Sequence, residues 1–183
     1  MKKQKRKLTI LMVCILILGF TETTTKQELN SSFLKKEFKE IEQYLTYANQ
    51  QNIEVSKVSV AWHLDHILLV IDRIYQQMDT SDVSQYRNRF NFSRTSVFTL
   101  NKITRGRAES PKIVRPEENV SLDSIKIHLE SAKKRAILFD SLHKKSHFEH
   151  PYLGKLNRRQ AKKFIKIHTN HHLNIIRDII QEY

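Results

Sequence analysis

The sequence predicts an all-α fold, and three observations lead to that prediction. Only three glycines and three prolines occur in 183 residues, too few for a turn-rich all-β protein. Lys, Glu, Ile, Leu and Gln are common, and this composition favours long helices. Four segments carry apolar residues at helical spacing and are separated by turn signals. The expected architecture is a four-helix bundle with a long crossover between helices 2 and 3.

The N-terminal segment, residues 1–21, is set apart from the fold as a signal peptide or an N-terminal anchor. A basic stretch, "MKKQKRK", precedes the apolar stretch "LTILMVCILILGF", which is the pattern of a secretory signal. As a helix, Leu8 to Phe20 would span about 20 Å, short of the roughly 30 Å hydrocarbon core of a bilayer. We therefore expect cleavage after Thr21 and export to the periplasm or the extracellular space. If the segment stays uncleaved, it is the only part that contacts a membrane, and the folded domain covers residues 26–183 in either case.

The composition of the processed chain excludes several kinds of chemistry. Cys14 is the only cysteine and lies in the leader, so disulfides, thiolate catalysis and zinc-thiolate sites are excluded. Any bound metal must be held by histidines and carboxylates. Loss of five basic leader residues lowers the net charge from +13 to +8. The remaining charges are scattered along helical faces without a nucleic-acid motif, so no specific nucleic-acid partner is predicted.

The four helices have different burial patterns. They are expected at residues 27–51, 59–78, 121–142 and 158–181. The first is amphipathic, and its apolar face either completes the bundle or forms the seam of a homodimer. The second is apolar over much of its circumference and should be largely buried. Ser121 can cap the third helix, and Asn157 with Gln160 resembles a capping box for the fourth.

The connections are less regular than the helices. Residues 81–119 should form the crossover, with one short helix near Ser96 to Ile103. The stretch "KKSHFEHPYLGKL" is expected to be a loop that leads into the fourth helix. Its residues His147, Glu149 and His150 either close over a pocket or lie in solvent.

Three histidines lie close together in the fourth helix, in the stretch "KIHTNHHLNII". At 100° per residue, His168 and His172 are about 40° apart and both fall within the apolar stripe, whereas His171 lies about 60° to the other side of His168, on the edge. Two buried imidazoles at positions i and i+4 can share one divalent metal ion. The alternative is a pair of core histidines that hydrogen-bond to other side chains or to water.

The second helix supplies a candidate for a third metal ligand in "WHLDH". His63 and His66 are three residues apart and cannot both point in the same direction. The periodicity slightly favours His63, which lies nearer the apolar residues Val70 and Ile74. The polar strip that contains His66 would nevertheless suit a hydrated metal pocket, so the periodicity leaves the choice open.

Three motifs resemble the DinB-like (YfiT-like) superfamily of four-helix bundles, in a branch of unknown function. The motifs are "VSVAWHLDHI", "HPYLGKLNRRQ" and "HTNHHL", and the likeness spans about residues 27–183. In that family a Trp-Ser pair precedes the metal-binding histidine, which lies seven residues after the serine. Here this places Val58 at the tryptophan position and the ligand at His66. The family's final helix carries His-x-x-x-His, which His168 and His172 match, and His171 matches the doubled histidine of the branch.

The resemblance implies a divalent metal held by three histidines, with open positions for water or for a small-molecule substrate that the sequence does not identify. Zinc, nickel, iron and manganese are not distinguishable from these residues. The leading expectation is a hydrolase, because an exported chain meets little reduced thiol. The alternatives are a metal-dependent thiol transferase and a non-catalytic exported bundle that binds metal or another ligand.

No general base stands out in the sequence. His63 and His171 are the candidates for a catalytic role because they lie near the expected ligands. Asp65 and Asp72 are candidates for orienting a ligand histidine through its second ring nitrogen.

Overall fold

Helices dominate the observed architecture, which the computed structural model describes for residues 33–106 and 110–181. In chain order the elements are α1 (Lys35–Tyr44), α2 (Val60–Asp79), α3 (Phe92–Leu100), α4 (Leu122–Leu138), β1 (His147–His150), β2 (Gly154–Asn157) and α5 (Arg158–Ile180). Single 3₁₀ turns occupy Leu45–Tyr47, Val83–Gln85 and Lys112–Val114. The predicted helical class is therefore confirmed, while the two-stranded sheet was not predicted.

Helix α2 forms the centre of the core. Thirteen of its 20 residues are buried, as its almost continuous apolar sequence predicted. It packs against α4 and α5, while α1 packs on α5. Ser59 starts the helix, since its side chain accepts a hydrogen bond from the backbone N–H of Trp62. The resulting unit spans Phe33–Tyr183.

The starts of α4 and α5 lie where the sequence predicted them. The Ser121 hydroxyl accepts a hydrogen bond from the backbone N–H of Ser124 at 3.1 Å. The Asn157 side chain accepts one from the N–H of Gln160 at 3.0 Å, and the Gln160 side chain accepts one from the N–H of Asn157 at 3.0 Å. This complete capping box satisfies N–H groups that have no partner within the helix.

Helix α1 is shorter than predicted. Residues 27–32 lie outside the described residues, and the helix gives way to a 3₁₀ turn after Tyr44. The chain leaves the helical path there because its next carbonyls are used by α2: Ala48 and Gln50 accept hydrogen bonds from the N–H groups of Ala61 and Val60. The apolar face of α1 is buried within the chain, and a homodimer stays a prediction.

The short crossover helix α3 lies a few residues earlier than expected. Asn91 caps its start by accepting a hydrogen bond from the N–H of Arg94 at 2.8 Å. Asn101 ends it in the left-handed conformation, with φ of 48°. These two asparagines define the boundaries better than the apolar residues did, because Arg94 is the only buried residue of α3.

A β-hairpin occupies the segment that was predicted as a loop, so that prediction was wrong. Its strands pair antiparallel, with Phe148 opposite Leu156 and His150 opposite Gly154. The buried side chains of Phe148 and Leu156 belong to the core, and strands of only four residues give too little alternation to detect from sequence. The His150 Nδ1 atom accepts hydrogen bonds from the N–H groups of Tyr152 and Leu153 at the turn.

Within residues 33–106 and 110–181, no helix is long and apolar enough to cross a bilayer. The predicted leader lies outside the described residues.

Candidate metal site

Three histidines from two helices converge in the core. Helix α2 contributes His66, and α5 contributes His168 and His172 from successive turns. One ring nitrogen from each lies within 4.8 Å of the other two. The ring centroids are 5.1 Å apart for His66 and His168, and 4.7 Å apart for His66 and His172. The structure thus brings together the three residues that the sequence predicted.

The backbone fixes the orientation of His66. Its Nδ1 atom lies 2.7 Å from the carbonyl oxygen of Val114, in the third 3₁₀ turn. Because a carbonyl only accepts hydrogen bonds, Nδ1 carries the proton and Nε2 keeps a free lone pair. Ser110 Oγ lies 3.4 Å from Nε2, a weak contact. The indole of Trp62 stacks on the imidazole at 5.0 Å and holds it from the other side.

A fourth histidine orients His172. The Nδ1 atom of His63 lies 3.0 Å from the Nδ1 atom of His172. The other ring nitrogen of His63, Nε2, lies 2.9 Å from the hydroxyl of Ser56. His63 therefore uses both nitrogens within the protein and engages Nδ1 of His172, so Nε2 is the His172 nitrogen that a metal could bind.

His168 is the least constrained of the three. Among the described residues, neither of its ring nitrogens has a hydrogen-bond partner, and the side chain is half-buried. The ring of Phe164 packs beside it at 5.6 Å, and His150 of the hairpin packs on the same phenyl ring at 4.7 Å. The hairpin therefore borders the site through Phe164.

The site favours neutral imidazoles. Burial is the main cause that lowers the pKa of His66, and it lowers the pKa values of His168 and His172 well below the ordinary value. For His66, the hydrogen bond to the carbonyl of Val114 and the charge of Asp65 act in the opposite direction. Near pH 7 the three rings are uncharged and can bind a metal ion without first losing a proton.

His171 lies at the edge of the cluster, as its position on the helix predicted. Its ring is half-buried, with its centroid 5.0 Å from that of His172. The pKa of His171 is lowered overall, mainly by burial and also by the charge of Arg105. A hydrogen bond to the backbone of Ile103 partly opposes this shift. Arg105, in the middle of the crossover, also pairs with Asp178 on α5 at 2.6 Å, so this part of the crossover lies against α5.

The two aspartates that were candidates for orienting a ligand histidine have other hydrogen-bond partners. Asp65 Oδ1 accepts a hydrogen bond from His128 Nδ1 at 2.6 Å, and Asp72 accepts one from Arg135 at 3.1 Å. Both contacts connect α2 to α4. The groups that orient the candidate ligands are instead the carbonyl of Val114 and the ring of His63. Sequence patterns could not reveal Val114, because it acts through its backbone and lies 48 positions from His66.

The other candidates from the segment before α5 lie in the hairpin and outside the three-histidine group. His147 is buried, and its Nδ1 atom lies 3.2 Å from the carbonyl of Lys145. Glu149 is exposed. Neither residue closes over the three histidines, and His150 borders them through the phenyl ring of Phe164.

A comparison with protein-family models finds no match, and comparisons with curated proteins and with solved structures find none either. Three buried or half-buried neutral histidines, contributed by two packed helices, are positioned to bind a divalent metal ion.

Proposed function

We propose that the protein binds one divalent metal ion through His66, His168 and His172. The observation that carries this proposal is the approach of their ring nitrogens to within 4.8 Å, in a place where charged imidazoles are disfavoured. Metal-binding histidines usually donate the hydrogen of their second nitrogen to a protein acceptor, and His66 and His172 both have such a neighbour. Three histidines leave coordination positions open for water or substrate.

We further propose that the protein is a metal-dependent hydrolase acting on a small molecule. An ion held at this site supplies Lewis acidity, which lowers the pKa of a coordinated water and polarises a substrate carbonyl. His171, half-buried beside His172, is the candidate to accept a proton during the reaction. His63 is a weaker candidate than the sequence indicated, because both its nitrogens are engaged.

Two alternative functions compete with the hydrolase. A thiol transferase is less favoured because the proposed export of the chain would place it where reduced small thiols are scarce. A non-catalytic metal-binding bundle is favoured by a specific observation: both ring nitrogens of His63 are engaged, so one of the two candidates for proton transfer is unavailable. The hydrolase and the non-catalytic bundle make opposite predictions about turnover of a substrate.

The proposed family is the DinB-like superfamily of four-helix bundles. In this proposal α1, α2, α4 and α5 correspond to the four bundle helices, and residues 80–121 form the long crossover with α3 within it. The packing of α2 against α4 and α5, and of α1 against α5, supports the assignment. So does the placement of the matched histidines on facing helices.

The test is a substrate screen with the metal-loaded full chain. Carboxylic esters, amides and phosphate esters would be offered to the wild type, to His168→Ala and to His143→Ala, which removes an exposed histidine as the matched control. We expect turnover of at least one class by the wild type and the control, and none by His168→Ala. A site whose remaining coordination positions are closed by protein groups would contradict the proposal. If the wild type turns over no substrate and His66→Ala is only less stable, the non-catalytic bundle is favoured.

A further inference from the structure

His63 is a buried histidine that the proposed metal-binding set leaves out. His63 is only 4% exposed, and each of its ring nitrogens has a hydrogen-bond partner. The three polar groups form a chain from Ser56 Oγ through both nitrogens of His63 to Nδ1 of His172. The Ser56 hydroxyl oxygen also accepts a hydrogen bond from the N–H of Val58 at 3.3 Å, which fixes the outer end of the chain.

Two arrangements of hydrogens satisfy this chain, and they differ at the metal-facing atom. In the first, His172 Nδ1–H donates to His63 Nδ1, and His63 Nε2–H donates to Ser56 Oγ. His172 Nε2 then has a free lone pair. In the second, every donor is reversed: Ser56 donates to His63, His63 donates to His172, and His172 Nε2 carries the hydrogen. Only the first arrangement lets His172 bind a metal through Nε2.

We propose that His63 is a positioning residue that holds His172 in its metal-binding tautomer, with Ser56 as the terminal acceptor of the chain. This inference rests on the proposed metal site. His63 does for His172 what the carbonyl of Val114 does for His66, because each accepts the hydrogen of the nitrogen that faces away from the site. Such acceptors fix ring orientation and increase the basicity of the metal-binding nitrogen.

A pair of substitutions separates the two hydrogen bonds of His63. In His63→Asn, the Oδ1 atom stands near the place of Nδ1 and can still accept from His172, but contact with Ser56 is lost. In His63→Gln, the amide stands near the place of Nε2 and can reach Ser56, but the acceptor for His172 is lost. His63→Leu removes both bonds. Ser56→Ala removes only the outer end of the chain.

Zinc affinity of the full chain would be measured by competition with a chromogenic chelator, and Trp62 fluorescence would follow the site directly. Trp62 is the only tryptophan and stacks on His66. We expect His63→Leu and His63→Gln to bind zinc about 10- to 100-fold more weakly than the wild type, and His63→Asn to recover most of that loss. Equal affinities for Asn, Gln and wild type would overturn the inference. Urea unfolding of each zinc-free variant would separate weaker binding from a damaged fold.

A measurement on the unmutated protein removes dependence on the variants. Imidazole ¹⁵N chemical shifts of the zinc-loaded chain report which nitrogen of His172 is protonated. We expect a hydrogen on Nδ1 and metal on Nε2, whereas metal on Nδ1 would contradict the inference. A wild type that binds no zinc would refute the proposed function itself. Zinc binding by the wild type that is unaffected in His63→Leu would refute only the role of His63.

Discussion

Five histidine rings lie in contact at the interface of α2 and α5: His63, His66, His168, His171 and His172. Burial lowers the pKa of every one of them, and neighbouring histidines lower the pKa values of all but His66 further. Such a cluster is stable only while its members stay neutral. The fold therefore keeps lone pairs available near neutral pH, and this property makes the cluster suitable for a metal ion.

We predict that the metal-free protein loses stability as the pH falls below about 6.5. Burial lowers the pKa of His63 to about 3 and that of His150 to about 4, from 6.5 in the unfolded chain. Between these values the unfolded chain binds more protons than the folded one. Each such histidine therefore removes about 1.4 kcal/mol of unfolding free energy per pH unit of acidification.

Urea unfolding of the metal-free protein between about pH 7.5 and about pH 5 measures this slope. His150→Asn supplies an Oδ1 acceptor for the N–H groups of Tyr152 and Leu153 but does not titrate, so its slope should be shallower. His143→Ala, at an exposed position, should keep the wild-type slope. An unfolding free energy that does not change over this range would contradict the prediction.

The sequence located the candidate ligands only where helical periodicity determines which way a side chain points from the helix. His168 and His172 were placed on the apolar face of α5 by counting, since a long helix with clear caps has predictable faces. Periodicity could not decide between His63 and His66, because both belong to α2, which is buried over most of its circumference. The family resemblance indicated His66, and the contacts of Val114 and Ser56 show how both histidines are accommodated.

The stability of α5 depends on its N-terminal cap. Asn157 belongs both to β2 and to the capping box of α5, so it joins the hairpin to the helix that carries two candidate ligands. We predict that Asn157→Ala lowers the free energy of unfolding by about 1 kcal/mol. The exposed Arg159→Ala, in the first turn of the same helix, should change it by less than about 0.5 kcal/mol. Thermal or urea unfolding tests the pair, and equal effects would argue against a role for the cap.

The contact between α2 and α4 includes a buried carboxylate. The side chain of Asp65 is 4% exposed and pairs with the half-exposed His128 at 2.6 Å. We predict that Asp65→Ala destabilises the fold by about 1–3 kcal/mol, because it removes the acceptor of a charge-assisted hydrogen bond. Asp123→Ala, an exposed aspartate at the start of α4, should cost less than about 0.5 kcal/mol. A double-mutant cycle with His128→Ala measures the coupling, and additive effects would show that the pair contributes nothing.

Among the elements, long helices with side-chain caps were predictable and short irregular pieces were not. α4 and α5 begin where Ser121 and Asn157 indicated, and α2 begins within one residue of its predicted start at position 59. The hairpin was missed because four-residue strands carry too little periodicity. Pro151 and Gly154, which adopts a φ of 69°, were the local signs of its turn. The end of α1 depends on hydrogen bonds from α2, a tertiary contact that local sequence does not encode.

The candidate site connects α2 and α5, two helices that pack together in the core. A metal held by His66 on α2 and by His168 and His172 on α5 binds the folded chain and not the unfolded one. We predict that zinc at about 100 times its dissociation constant raises the free energy of unfolding by about 2.7 kcal/mol. Urea unfolding with and without zinc measures the gain. His168→Ala should lose it and His143→Ala should keep it, while an equal gain in His168→Ala would place the zinc elsewhere.

Elemental analysis of the full chain, purified without a polyhistidine tag and compared with His66→Ala and His168→Ala, tests the proposed metal site most directly. These two variants remove one candidate ligand from each of the two helices. We predict about one divalent ion per wild-type chain and none in either variant. A wild type that contains no metal even after reconstitution would contradict the account, and the three histidines would then be a polar cluster of the core.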